Sequence, residues 1–257
     1  MKNNELVLHS KSIYKKFDGI TVVKNVDIEL KSGSIIGLCG DNGCGKTTLL
    51  NIICGLVELD SGYIEYFGIR NHKIKPYDLM KLGIVRSFQH IRNFHNMNLR
   101  DNILLSYNKD SLNNLSASFF KRKKNLVVEL EIWKEAENLF EYFGLEHLGV
   151  KKMFTKPLSD FSIGEQRIIE LMRLLLSKPK IMLLDEPSVG LNKVLCERFI
   201  EYIKVLSHNG CVILVVSHDL EFLKTLTHEI KFMKNGELFD MRKDDSYTNL
   251  KKQLTYN

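Results

Sequence analysis

A glycine-rich loop between two apolar runs is the feature that most restricts how this chain can fold. The run before the loop, Ser34–Cys39, is almost entirely apolar, which is typical of a parallel strand buried on both faces. The run after it, Thr48–Cys54, has the character of a helix. The loop itself fits the pattern G-x-x-x-x-G-K-[ST]. Its residues are Gly40, Asp41, Asn42, Gly43, Cys44, Gly45, Lys46 and Thr47.

This strand–loop–helix order predicts a phosphate site. Glycines let backbone N–H groups surround an anion, and the N-terminus of the following helix adds partial positive charge. In such a loop Lys46 reaches the β- and γ-phosphates of a nucleotide, and the Thr47 hydroxyl binds Mg²⁺. Thr48 stands next to them, at the predicted helix start. The sequence therefore predicts ATP as a ligand, with Mg²⁺.

Two acids follow a second predicted buried strand. Ile181–Leu184 is apolar throughout, and Asp185 and Glu186 come directly after it. Open α/β sheets bind ligands at the carboxyl ends of their strands. Asp185 is thus a candidate to hold Mg²⁺, and Glu186 to orient and polarise an attacking water. The alternative is a strand that ends in ordinary surface acids.

A histidine follows a third apolar run. His218 comes just after Cys211–Val216 and could sense a γ-phosphate from the end of that strand. A single histidine is more often structural or merely exposed, so this residue alone predicts little.

The remaining pattern predicts alternating strands and helices around a helical middle. Further strands are predicted at Glu5–His9, Thr21–Leu30, Tyr63–Tyr66 and Gly83–Phe88. Helices are predicted at Asn98–Tyr107, Val127–Phe143, Gly164–Ser177, Val194–Leu206 and Asp219–Leu226, with a hairpin around Asn235 and Gly236. Such alternation is typical of a mostly parallel sheet covered on both faces. The middle of the chain is predicted to be an insertion into this α/β core.

Composition excludes several classes of protein. The chain has 257 residues, of which 44% are hydrophobic and 26% charged, so disordered and fibrous classes do not fit. No apolar run is long enough to span a membrane, and the first residues do not resemble a signal peptide. Five scattered cysteines suggest reduced thiols in a cytosolic protein. The net charge of +6 allows an anionic partner without selecting one.

One further motif identifies a family. The run Phe161-Ser162-Ile163-Gly164-Glu165-Gln166-Arg167 precedes a predicted helix. Together with the phosphate loop and the paired acids, it resembles the ATP-binding cassette (ABC) family, whose signature is typically L-S-G-G-Q-Q-R. Phe161, Ile163 and Glu165 depart from that pattern. Ser162 and Gly164 match it and suit anion recognition at a helix N-terminus.

The resemblance covers nearly the whole chain and implies a fold. That fold is α/β, with a P-loop NTPase (RecA-like) core, a mostly parallel sheet, an N-terminal antiparallel β subdomain and an inserted helical subdomain. The whole of residues 1–257 would be one ABC ATPase domain. Residues 1–93 and 160–257 would form the nucleotide-binding core, and residues 94–159 the helical subdomain.

The resemblance also implies roles for individual residues. Phe17 is similar to the aromatic residue that stacks on adenine, with Tyr14 as a weaker candidate. Gln89 is similar to the glutamine that contacts Mg²⁺ and the attacking water, and His218 to the histidine that holds the γ-phosphate. Ser188–Asn192 resembles the D-loop, with Asn192 in place of the usual Asp. Ser162, Gly164 and Glu165 would bind ATP held by a second cassette in a head-to-tail dimer.

Within the family, one branch is most similar. Gly83–Gln89 and Ile91–Phe94 resemble the ATPase subunits of branched-chain amino acid importers, as do the Gly190-Leu191-Asn192 run and the polar insert Asn108–Asn125. Lys193 stands where that branch often has proline. The implied function is ATP hydrolysis that powers a membrane transporter, with amino acid import through a separate permease. A lipid, lipopolysaccharide or drug exporter is an alternative, and a soluble ABC ATPase acting on ribosomes or DNA is another.

The same resemblance implies partners and a location. The partners are integral membrane permease subunits, a second ABC ATPase subunit (a copy or a different chain) and, for an importer, an extracytoplasmic binding protein. No nucleic-acid partner is expected. The chain would lie in the cytoplasm, peripherally on the inner face of the cell membrane. The basic loop 119–124 could contact anionic headgroups, or could be an ordinary solvated loop.

Overall fold

The computed structural model describes residues 5–71, 75–87, 96–104, 122–146 and 156–241. The chain divides into two compact units. The first unit comprises residues 1–89, 180–188 and 200–257, and the second comprises residues 90–179 and 189–199. The predicted helical subdomain, 94–159, falls within the second unit. Its bounds as a domain stay a prediction.

An antiparallel sheet of four strands occupies the first unit. Its strands are β1 (Leu6–Phe17), β2 (Ile20–Lys31), β4 (Ser61–Tyr66) and β5 (Ile69–Asn71), in the order β2-β1-β4-β5. Alternating buried and exposed positions in β2 are typical of a strand with one face on the core. The predicted strand Glu5–His9 overlaps only the first residues of β1. Its second part is polar and is held by pairing with β2, which a local apolar pattern does not reveal.

A six-stranded sheet forms the other layer of this unit. It contains β3 (Ile35–Gly40), β6 (Ile84–Arg86), β7 (Ile181–Asp185), β8 (Val212–Val216), β9 (Glu229–Lys234) and β10 (Glu237–Met241). The order is β10-β9-β3-β8-β7-β6, and every pairing is parallel except that of β9 with β10. All positions of β7 and β8 are buried. The predicted fold class is confirmed, and the parallel strands end at one common edge.

Both units also contain helices. The first unit contains α1 (Lys46–Ile53), α2 (Pro76–Lys81) and α7 (Leu220–Leu226), and the second contains α3 (Leu99–Leu104), α4 (Arg122–Phe143) and α5 (Ile163–Leu176). Helix α6 (Lys193–His208) has residues in both units. The sequence did not predict α2 or β5, which are short and carry little periodicity. Across the described ranges, no helix combines the length and apolarity needed to cross a membrane.

A buried tyrosine connects β4 to α1. The Tyr66 hydroxyl donates a hydrogen bond of 2.6 Å to the Ile53 carbonyl oxygen, and Tyr66 is 1% exposed. Because burial disfavours the charged phenolate, the pKa of Tyr66 is raised.

We expect Tyr66→Phe to lower the free energy of unfolding by about 1–2 kcal/mol, since the Ile53 carbonyl then loses its donor in a buried place. Chemical denaturation of both proteins measures this difference. Tyr63→Phe is the matched control, because it keeps the ring that packs against His9 and Arg70. Equal stabilities of Tyr66→Phe and the parent protein would contradict the assigned hydrogen bond.

Candidate functional site

The described residues of the first unit that the sequence predicts to contact phosphate, Mg²⁺ or the attacking water lie at the carboxyl ends of neighbouring strands. The glycine-rich loop follows β3, Asp185 ends β7, and His218 comes just after β8. Strand β8 lies between the other two in the sheet. Because these strands are parallel, their carboxyl ends meet at one edge. Residues that are far apart in the sequence are thereby brought to one edge of the sheet.

The glycine-rich loop is held tightly against other backbone. A Cβ at Gly45, whose φ is +111°, would lie 2.4 Å from the Val22 carbonyl oxygen. A Cβ at Gly40 would lie 2.3 Å from the Met233 carbonyl oxygen. Gly236 adds a hydrogen bond of 3.1 Å from its N–H to the carbonyl of Cys44. Glycine is therefore required at positions 40 and 45, because β2 and β9 approach the loop closely.

Lys46 lies across the loop. Its side chain is largely buried, since the residue is 8% exposed. The ammonium Nζ donates hydrogen bonds of 2.8 Å to the carbonyl oxygens of Gly40 and Asp41. The Cys44 sulfur lies 3.7 Å from the same Nζ. Burial raises the pKa of the Cys44 thiol despite that nearby charge, so the unreactive thiol form is favoured.

Asp185 is buried and is held by two consecutive residues. Arg86 is the last residue of β6, and Ser87 is the first residue after it. The Arg86 Nη2 atom lies 3.2 Å from Asp185 Oδ2, and the Asp185 N–H donates to Ser87 Oγ at 2.9 Å. Burial raises the pKa of Asp185, while the charges of Arg86 and Lys46 oppose that shift. Sequence reasoning missed Arg86 and Ser87 as partners. An arginine that ends a short apolar strand is the signal that could have drawn attention to them.

Glu186 receives hydrogen bonds from the residues that follow β8. Ser217 Oγ donates to Glu186 Oε2 at 3.0 Å, and the His218 backbone N–H donates to Oε1 at 3.0 Å. The His218 Nδ1 atom lies 2.9 Å from the same Oε1. Glu186 is 9% exposed and has a φ of +48°, so the backbone turns sharply after β7. The structure brings the predicted pair Glu186 and His218 together, and adds Ser217.

The signature residues lie in the second unit, at the start of α5. Ser162 is the N-cap of this helix and forms a capping box with Glu165. The Ser162 hydroxyl and backbone N–H donate to Glu165 Oε2 at 2.7 and 2.8 Å. The Glu165 N–H donates in return to Ser162 Oγ at 3.3 Å. Glu165, a departure from the family pattern, therefore has a local structural role.

A cavity of about 520 Å³ lies beside this helix start, within the second unit. Ser162, Gly164 and Asn192 are among the residues that line it. A Cβ at Gly164 would lie 3.0 Å from the Gly190 carbonyl oxygen, so a larger residue would press on the predicted D-loop. Asn192 accepts a hydrogen bond of 2.9 Å from the Leu195 N–H with its side chain and so caps α6. The change from Asp to Asn preserves this cap.

Of the remaining predicted residues, the structure describes the aromatic candidates Phe17 and Tyr14 but not Gln89. The Phe17 ring is 42% exposed at the end of the β1–β2 hairpin, with the Lys15 ammonium 5.2 Å from its centroid. The Tyr14 hydroxyl instead bonds to Thr21 Oγ1 at 2.8 Å. Gln89 lies outside the described residues, as do 108–121 of the polar insert and 119–121 of the basic loop. Their roles stay predictions.

Comparison with known proteins agrees with this geometry. The ABC transporter family pattern matches residues 23–189. A ribose import ATP-binding protein of Bacillus licheniformis is 30% identical over 233 residues, and the match covers 91% of this chain and 44% of that protein. The chain thus spans less than half the length of that relative. A probable branched-chain amino acid transport ATP-binding protein of Archaeoglobus fulgidus is 28% identical over 246 residues, with 95% and 91% covered.

A solved structure supports the same assignment. A nucleotide-free ATP-binding cassette from an ABC transporter aligns with a TM-score of 0.75 and 25% identity, over 98% of this chain and 96% of that one. The family pattern covers well over half of the chain and includes the glycine-rich loop, the signature and the paired acids. The chain therefore belongs to the ABC transporter family, as an ATPase cassette of that family.

Proposed function

We propose that this chain binds and hydrolyses ATP as the subunit that powers a membrane transporter. The observation that carries the proposal is the common edge at which β3, β7 and β8 end. That edge combines a buried lysine in a glycine-rich loop, a buried aspartate and a glutamate held beside a histidine. These are the parts that phosphoryl transfer to water requires, namely charge neutralisation and a positioned base.

The glycine-rich loop binds the phosphates in this proposal. The backbone N–H groups of residues 40–45, with Lys46, Thr47 and Thr48, surround the β- and γ-phosphates at the N-terminus of α1. The Thr47 hydroxyl and the Asp185 carboxylate are hard oxygen donors, which suit Mg²⁺. Gln89 is the third proposed ligand. Mg²⁺ in this place would neutralise phosphate charge, and Phe17 would stack on the adenine.

Glu186 supplies the base. Its carboxylate orients a water toward the γ-phosphate and accepts a proton as the water attacks. The hydrogen bonds from Ser217 and from the backbone of His218 fix that carboxylate, so its orientation does not have to be found during the reaction. The exposed His218 ring would contact the γ-phosphate.

A second cassette completes each site in this proposal. Ser162, Gly164 and Glu165 of the partner subunit would bind the ATP held by Lys46 of the first, in a two-fold arrangement. The exposed Ile163, next to the N-cap of α5, places this helix start at the surface of the chain. The partner is a copy of this chain or a different cassette. Hydrolysis would remove the γ-phosphate contact and open the dimer.

The transported solute is proposed from relatives. One matched protein is named for branched-chain amino acid transport and another for ribose import. We propose import of an amino acid, with a separate permease, an extracytoplasmic binding protein and a peripheral position on the cytoplasmic face of the membrane. Export of lipid, lipopolysaccharide or drug is the second candidate, because the site residues would be the same.

Isolation of this chain from native membranes in mild detergent, followed by mass spectrometry, tests the proposal. A co-purified multi-span permease with a second, different cassette would support the amino acid importer. A permease with this cassette alone would favour a homodimeric pair and the export alternative. Ribosomal or nucleic-acid partners without a membrane protein would contradict the transporter role, although not the ATPase chemistry.

A further inference from the structure

Arg86 and Ser87 together hold Asp185 by both its side chain and its backbone. The guanidinium of Arg86 contacts the Asp185 carboxylate, and the hydroxyl oxygen of Ser87 accepts a hydrogen bond from the Asp185 N–H. Ser87 also donates its own N–H to the Leu183 carbonyl at 2.9 Å, which continues the pairing of this segment with β7. The side chains of Arg86 and Asp185 are only 6% and 3% exposed. Two neighbouring residues therefore hold Asp185, Arg86 through its carboxylate and Ser87 through its backbone.

Arg86 also reaches the helix that follows the phosphate loop. Its Nη1 atom donates a hydrogen bond to Asn51 Oδ1. Asn51 belongs to α1, which begins at Lys46. A guanidinium is planar and rigid, so it can hold two acceptors at once in a set geometry, which a lysine ammonium cannot do in the same way. Arg86 thus connects α1 to the end of β7.

We propose that Arg86 is a positioning residue for the metal site: through Asn51 it fixes the carboxylate of Asp185 relative to α1, the helix whose first turn carries Thr47. This inference rests on the proposed function, in which Thr47 and Asp185 hold Mg²⁺. A carboxylate ligand needs an outer hydrogen bond to keep its orientation, and removal of such a bond typically weakens metal binding 10- to 100-fold. Arg86 does not touch substrate in this assignment, and acts through Asp185.

Arg86→Lys tests the assignment, because lysine keeps the positive charge but lacks the planar guanidinium that contacts Asp185 and Asn51 at once. The full chain is titrated with Mg²⁺ at a fixed concentration of a fluorescent ATP analogue, and binding without Mg²⁺ is measured in EDTA. We expect the half-saturating Mg²⁺ concentration to rise about tenfold, and binding in EDTA to stay within about twofold of the parent. An unchanged Mg²⁺ midpoint in a folded Arg86→Lys protein would overturn the proposal.

A second variant covers the case in which Arg86→Lys does not fold. Asn51→Ala leaves the Arg86–Asp185 pair in place and removes the acceptor of the hydrogen bond that joins Arg86 to α1. We expect a shift of the Mg²⁺ midpoint in the same direction but smaller, and no shift would count against the bridge. Arg70→Lys is the control, because its guanidinium stacks on Tyr63, away from this carboxylate, and should leave the midpoint unchanged.

Asp185→Asn separates this proposal from the one on which it rests. If Asp185→Asn leaves the Mg²⁺ dependence intact, the metal role of Asp185 is wrong and the role of Arg86 falls with it. If Asp185→Asn abolishes the dependence while Arg86→Lys and Asn51→Ala do not move it, Asp185 holds the metal without help from Arg86.

Discussion

Replacement of Glu186 by Gln is expected to lower the steady-state rate of ATP hydrolysis by at least about 100-fold, because a positioned general base contributes about 10²–10⁴ in rate. The amide keeps the size of the side chain and can still accept the hydrogen bond from the His218 N–H, but it cannot take a proton from water. ATP binding should persist, since no phosphate contact is removed. Phosphate release and nucleotide affinity measure the two effects.

The same variant should accumulate as an ATP-bound dimer, which size-exclusion chromatography with and without ATP can detect. Glu221→Gln, at an exposed position of α7, is the control and should hydrolyse ATP at the parent rate. If Glu186→Gln turned over ATP as fast as the parent protein, another group would have to be the base.

Replacement of Lys46 by Ala is expected to weaken ATP binding by about 10- to 100-fold. A hydrogen bond to a charged group contributes about 1.5–3 kcal/mol, and each 1.4 kcal/mol is a factor of ten in affinity. The ammonium also donates to two loop carbonyls, those of Gly40 and Asp41, so its loss withdraws a donor from the loop itself. The equilibrium binding constant of a fluorescent ATP analogue measures this change.

Circular dichroism should show the Lys46→Ala protein folded, so that weak binding reflects the site. Lys24→Ala is the matched control, because Lys24 is exposed and pairs with Glu237 on the surface. Unaltered ATP affinity in Lys46→Ala would mean that the glycine-rich loop does not bind the phosphates.

The sequence predicted the parts of the fold that depend on local pattern. Strands β7 and β8 are buried at every position, so their apolar runs are unmistakable. The glycine-rich loop is readable because Gly45 adopts a backbone conformation that other residues avoid. Asp185 and Glu186 lie where β7 ends, as the sequence predicted, since a sharp change from apolar to acidic residues marks that boundary.

Two site contacts that the sequence did not predict join residues that are distant along the chain. Arg86 meets Asp185 only because β6 pairs with β7, so an arginine that ends a short apolar strand can be noticed in the sequence, but its partner follows only from the strand pairing. Ser217 donates to Glu186 for a similar reason, through the pairing of β7 with β8. The capping box of Ser162 and Glu165 is a local contact that could have been predicted from the sequence, because the pattern S-x-x-E before an apolar run indicates it.

The packing of the glycine-rich loop against β9 has a consequence for synthesis of the protein. The carbonyl of Met233 lies against Gly40, and the N–H of Gly236 bonds to Cys44, so the loop takes its final shape only with a late segment of the chain. Strand β3 also lies between β8 and β9, both of which are translated long after it. A nascent chain on the ribosome therefore carries the whole motif without the surroundings that shape it. If the loop binds ATP as proposed, we expect the nucleotide to stabilise the fold only after the β9–β10 turn has emerged.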